Sequence, residues 1–142
     1  MKISAILATK GMNVVTIRPD QSLGDAIALL SQHNIGALVV ADAAGKPVGI
    51  ISERDIVRSA AKSREISSAA VRQVMTQNIV TGSPHDDLNA ALQTMTDRRF
   101  RHLPILDEGM LVGIVSIGDL VKAQLNEYKG EIDNLQTRMS KG

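Results

Sequence analysis

Apolar positions along this chain come in short runs separated by turn-forming residues. Val14, Val15 and Ile17 alternate loosely within 13–18, which predicts a strand, and Pro19 closes it. Leu23, Ala26, Ile27 and Leu30 then fall at i, i+3, i+4 and i+7, the stripe of an amphipathic helix. Ser22 stands where a cap belongs, Asp25 at the third helical position, and Asn34 and Gly36 are stop signals. Residues 37–41 read as a strand, 42–47 as a turn, and 48–51 as a strand covered on both faces. Ser52 opens a second helix. The string then returns: strand 79–82, helix 87–98, strand 103–106, turn 107–109, strand 111–115, and a helix from 117. Each unit is β-α-β-β-α.

The recurrence holds in letters as well as in periodicity. GIISERDIV at 49–57 returns 64 positions later as GIVSIGDLV at 113–121, and NVVTIRP at 13–19 meets NIVTGSP at 78–84. ALVVAD at 37–42 matches HLPILD at 102–107, and the lead-in ISAIL at 3–7 resembles VRQVM at 71–75. The chain is a tandem duplication. A unit of about sixty residues buries too little surface alone. Two copies packed sheet to sheet about a pseudo-twofold axis would bury each other's apolar faces. The predicted class is α/β (α+β), divided as 1–66 with the lead-in helix, 67–124, and a helical tail at 125–142. In that tail Leu125, Tyr128, Ile132, Leu135 and Met139 are spaced as an a/d seam, with Gly130 inside it. The seam predicts packing either on its own module or on a second subunit.

Composition narrows the function. Apolar residues make up 44% of the 142, aromatics only 1%, so the core must be aliphatic. A formal charge of +1 gives no footprint for duplex nucleic acid, and the scarcity of aromatics removes a stacking platform for single strands. Absent cysteine excludes disulfides, thiol catalysis and a zinc-cysteine site. No run approaches the roughly 20 apolar residues that span a bilayer. MKISAILATKG carries too short an apolar run for a secretory signal. A soluble, cytoplasmic protein is expected. His33, His85 and His102 lack metal-ligand spacing and no nucleophile-base set is legible, so no enzyme is expected.

Ser52–Glu–Arg–Asp55 and Ser116–Ile–Gly–Asp119 admit two readings. Serine followed three residues later by an acid before an apolar run is a capping box. Against that, the box usually ends in the longer Glu or Gln, and both copies here carry Asp. Gly49 and Gly113 also recur within apolar strands, where glycine often marks the close approach of a backbone or a ligand. A carboxylate one turn into such a helix can accept both hydroxyls of a ribose, while the helix N-terminus and nearby arginines favour phosphate.

With G-h-h-S-x-x-D closing each copy, GIISERDIV, RHLPILDEGMLVGIVSIGDLV and the paired VVTIRP and IVTGSP openings resemble a pair of cystathionine β-synthase (CBS) domains, a Bateman module. The resemblance covers residues 1–124. It implies a non-catalytic regulatory module, disc-shaped homodimers, and clefts between repeats for adenine nucleotides: AMP, ADP, ATP, NAD(H) or S-adenosylmethionine. It implies ribose-binding roles for Asp55 and Asp119, with Ser52 and Ser116 beside them. Thr16 and Thr81 would line the adenine pocket. Backbone at Gly36, Ala37 and Leu38, and at His102, Leu103 and Pro104, would meet the base edge. Ile51 and Val115 would pack on its face, and Arg54 and Arg58 would face phosphate. Where the first copy has Glu53 and Arg54 the second has Ile117 and Gly118, so Arg101, rather than Arg98 or Arg99, is the expected substitute cation. Two unequal sites follow. The expected function is a free-standing, energy-sensing module whose shape or dimer is read by an effector protein; the alternative is a structural dimerisation module with vestigial pockets.

Overall fold

The computed structural model describes residues 1–11 and 13–141. Helix α1 (Ile3–Lys10) precedes β1 (Thr16–Ile17), α2 (Leu23–His33), β2 (Ala37–Ala41), β3 (Pro47–Ser52) and α3 (Glu53–Ala60). A 3-10 turn at Ile66–Ser68 leads to α4 (Val71–Val74), α5 (Leu88–Arg98), β4 (His102–Asp107), β5 (Met110–Ser116) and α6 (Ile117–Lys141). Ser22 and Asp25 form a full capping box on α2, and Asp87 caps α5 by accepting the N–H groups of Asn89 and Ala90. Asn34 ends α2 in the left-handed region, as its side chain tolerates.

Both hairpins have matching registers. Ala37 lies opposite Ser52 and Val40 opposite Gly49; His102 lies opposite Ser116 and Ile105 opposite Gly113. The opening strands are shorter than expected. The first keeps two residues, paired parallel to β2. The second, expected over 79–82, is reduced to one bridge, with Gly82 donating to the carbonyl of Pro104 and accepting from Leu106, both at 2.9 Å. Where the first copy buries Ile17, the second has Gly82, and a Cβ there would stand 2.9 Å from Leu103. A glycine lets the backbone approach but contributes no side chain to hold a longer strand.

The two aliphatic cores do not follow the order of the chain. Ile3, Ile6 and Leu7 of α1 pack with Leu88, Met95, Leu103, Ile105, Val115 and Leu120, all from the second copy. Val71 of α4, fully buried, packs with Ile17, Leu23, Leu30, Leu38 and Ile51 of the first. Each lead-in therefore completes the opposite copy's core, and each buried aliphatic contributes about 1.5–3 kcal/mol of transfer free energy. The repeated strand glycines mark these crossings. A Cβ on Gly49 would lie 2.7 Å from Met75 Sδ and 2.9 Å from the carbonyl oxygen of Thr76; on Gly113, 2.6 Å from Leu7 Cδ2. Of the two approaches such glycines signal, a backbone or a ligand, the lead-in segments supply the first at Gly49, while at Gly113 a lead-in side chain makes the approach.

The tail is the continuation of α6, one helix of 25 residues. Its seam is left uncovered by its own module: Tyr128 is 50% exposed and Met139 81%. No helix among the described residues is long and apolar enough to cross a membrane.

Candidate functional site

Both Ser-x-x-Asp motifs cap their helices. Ser52 N–H donates to Asp55 Oδ2 at 3.0 Å, the Ser52 hydroxyl donates to the same oxygen at 3.1 Å, and Asp55 N–H donates back to Ser52 Oγ at 3.3 Å. In the second copy Ser116 N–H donates to Asp119 Oδ2 at 2.8 Å and Asp119 N–H to Ser116 Oγ at 3.1 Å. Aspartate reaches back as glutamate would, so its shorter side chain was no argument against a cap. What separates the copies is the surroundings of each carboxylate.

Asp55, half-buried, opens onto a cavity of about 800 Å³ at the joint between the copies. That volume lies in the usual range of small-molecule sites, ~300–1,000 Å³. The first copy supplies Gly36, Ser52, Glu53, Arg54, Asp55 and Arg58; the second supplies Arg98, Arg99, Arg101, His102 and Ser116. The stretch that follows α4, leading into the second copy's opening strand, supplies Thr76, Asn78, Ile79 and Val80. Five arginines against two carboxylates leave a strongly cationic wall, and none of the five forms an ion pair among the described residues. Arg54 and Arg58 sit one helical turn apart on α3, whereas Arg99 ends α5 in the left-handed conformation and Arg101 leads into β4. Arg98 and Arg99, expected on a solvated face more than Arg101, are exposed, as Arg101 is, and all three border this cavity. His102 is held below its ordinary value of 6.5, first by burial and then by the charge of Lys10.

Asp119 has another neighbour. Lys10 Nζ, at the end of α1, donates to Asp119 Oδ2 at 2.5 Å and to the carbonyl of Ile114 at 2.7 Å. Burial pushes the Asp119 carboxyl up, but the bond from Lys10, the Ser116 N–H and the lysine charge outweigh it and hold the group below its ordinary 3.8. Asp119 lines neither this cavity nor the second one described next.

The remaining expected residues lie elsewhere. Thr16 and Thr81 line a separate cavity of about 710 Å³, beside the hairpin residues Lys46 and Leu111. Leu38, Ile51 and Val115 are fully buried and Leu103 nearly so, all within the cores; Ala37 and Pro104 are buried too. Their inward side chains follow from strands covered on both faces. Sequence reading missed Lys10 beside Asp119 and the stretch 76–80 at the cleft, because the exchanged lead-ins bring each to its place. Among the described residues no group of three acidic or histidine side chains could hold a metal ion.

A duplicated β-α-β-β-α chain with exchanged lead-ins and a cationic cleft at its joint defines a paired-repeat module rather than two independent domains. The particular family follows from comparison: the CBS domain family model matches residues 3–62 and again 71–126, and the chain belongs to that family. The CBS domain-containing protein YhcV of Bacillus subtilis is 38% identical over 130 residues, covering 90% of this chain and 91% of its own. The crystal structure of the CBS-domain protein ATU1752 from Agrobacterium tumefaciens superposes with a TM-score of 0.83 at 41% identity, over 87% of this chain and 92% of that one. The CBS domain pair of protein MJ0100, solved in complex with 5-methylthioadenosine and S-adenosyl-L-methionine, matches at 26% identity with a TM-score of 0.78, over 87% of this chain and 98% of its own.

Proposed function

We propose that this chain is a regulatory module that binds an adenosine-containing ligand in the joint cleft and signals through a change of shape or of its homodimer. One observation carries the reading: Asp55 opens into the same cavity as five arginines and His102, and among the described residues neither Asp55 nor any of the five arginines forms an ion pair. Asp55 Oδ2 is engaged by Ser52, and the carboxylate retains acceptor capacity for a sugar diol. The arginines face the phosphates, where planar forks give charge-assisted bonds. The adenosine ligands of MJ0100 support the ligand class. AMP, ADP, ATP and NAD(H) fit the cationic wall better than S-adenosylmethionine, whose sulfonium meets like charge. The proposal takes the cytoplasm as the module's setting and a protein that reads the bound state as its effector. No catalysis is part of it. Titration calorimetry with AMP, ATP, NAD and S-adenosylmethionine tests the proposal: heats are expected from the phosphate-bearing ligands, and no heat from any of the four at millimolar concentration overturns it. The second reading, a dimerisation module with vestigial pockets, draws on the uncovered α6 seam and on the caps both aspartates form.

A further inference from the structure

α1 and α4 are equivalent lead-ins, with Leu7 against Gly113 as Met75 is against Gly49. Beyond those residues the two paths part. After Met75 the chain extends, and Thr76 N–H donates to the carbonyl of Ile50 at 2.8 Å. After Leu7 the helix continues for another turn, and Lys10 Nζ donates to the carbonyl of Ile114, the residue equivalent to Ile50. An ammonium thus stands where the first copy has a strand N–H, and from there it also takes Asp119. Leu7, one turn earlier, is 3% exposed within the second core and anchors the helix end from which Lys10 extends.

We infer that Lys10 is a built-in occupant of the second Ser-x-x-Asp carboxylate, so that the chain takes one nucleotide, at Asp55, and acquires a second site when Lys10 is removed. The inference rests on the reading of Asp55 as the sugar-binding carboxylate. A diol binds a carboxylate by donating two hydroxyls to it, and an ammonium on Oδ2 withdraws both an acceptor and the charge that strengthens those bonds. To the inequality expected between the sites from Gly118 and Ile117 this adds a residue 109 positions away in sequence.

Calorimetric titration of the full chain with ATP tests this, with melting curves recorded beside it. The wild type is expected to take one ATP per chain and Lys10→Ala two, and Asp119→Asn added to Lys10→Ala should return the count to one. Lys10→Gln, which keeps the stem, provides the same reading should the alanine variant melt early. A folded Lys10→Ala or Lys10→Gln that still takes one ATP overturns the inference. Two ATP per wild-type chain overturns it as well but leaves the nucleotide reading standing. No binding by either protein removes that reading and the inference with it.

Discussion

Asp55 and Asp119 hold one place in two copies of a motif, yet one opens onto a cleft and the other onto a lysine. Asp55→Asn separates cap from ligand, since the amide oxygen still accepts the Ser52 N–H while the charge is lost. Each charge-assisted hydrogen bond is worth about 1.5–3 kcal/mol. Calorimetry should therefore show ATP affinity falling about tenfold to hundredfold, with the melting temperature nearly unchanged; a large melting shift at unchanged affinity would restore the capping-only account. His102 provides a pH signature. Because folding lowers its pKa, its contribution to stability is complete above 6.5 and is lost as pH falls through the lowered folded value. Asp119 has the same sign at more acid pH: its contribution is present above 3.8 and lost as pH falls through its own depressed value. Proton-detected titration of the imidazole should give a midpoint below 6.5. Lys10→Ala should raise that midpoint, since the lysine charge is removed and the Asp119 charge uncovered; an unmoved midpoint would contradict the assigned cause.

At the scale of elements, the sequence announced most of the fold through particular residues. Ser22 with Asp25, and the stop at Asn34, placed α2, and the matching motifs placed both hairpins. Less was legible of the site. Gly49 and Gly113 signalled close approach, but the approaching atoms belong to Thr76, Met75 and Leu7, and no local pattern tells a strand which distant segment will lie on it. Lys10 was hidden for the same reason, since its partners are more than a hundred residues away. These crossings make a differential prediction. Gly49→Ala confronts the backbone oxygen of Thr76, which the Ile50 bridge fixes, whereas Gly113→Ala confronts only the side chain of Leu7. Overpacking costs about 1–3 kcal/mol, so urea midpoints should fall for both and further for Gly49→Ala. A larger loss at Gly113 would mean that the exchanged lead-ins are not held as described.

At the scale of the whole molecule, the proposed signalling draws on the α6 seam and the joint cleft. The seam positions Leu125 and Ile132 are 61% and 54% exposed, a surface a second copy could cover. For the homodimer proposed above, Leu125→Glu with Ile132→Glu should shift sedimentation from dimer to monomer while leaving ATP binding at the cleft intact; an unchanged sedimentation coefficient would exclude the seam as the dimer contact. The cleft itself is tested most directly by a crystal structure of the chain grown with ATP. The account predicts the ribose hydroxyls on the Asp55 carboxylate and the phosphates against the arginines of α3 and of the α5–β4 junction. ATP lodged in the cavity beside Thr16 and Thr81, or Asp55 turned only toward Ser52 with the sugar elsewhere, would contradict it.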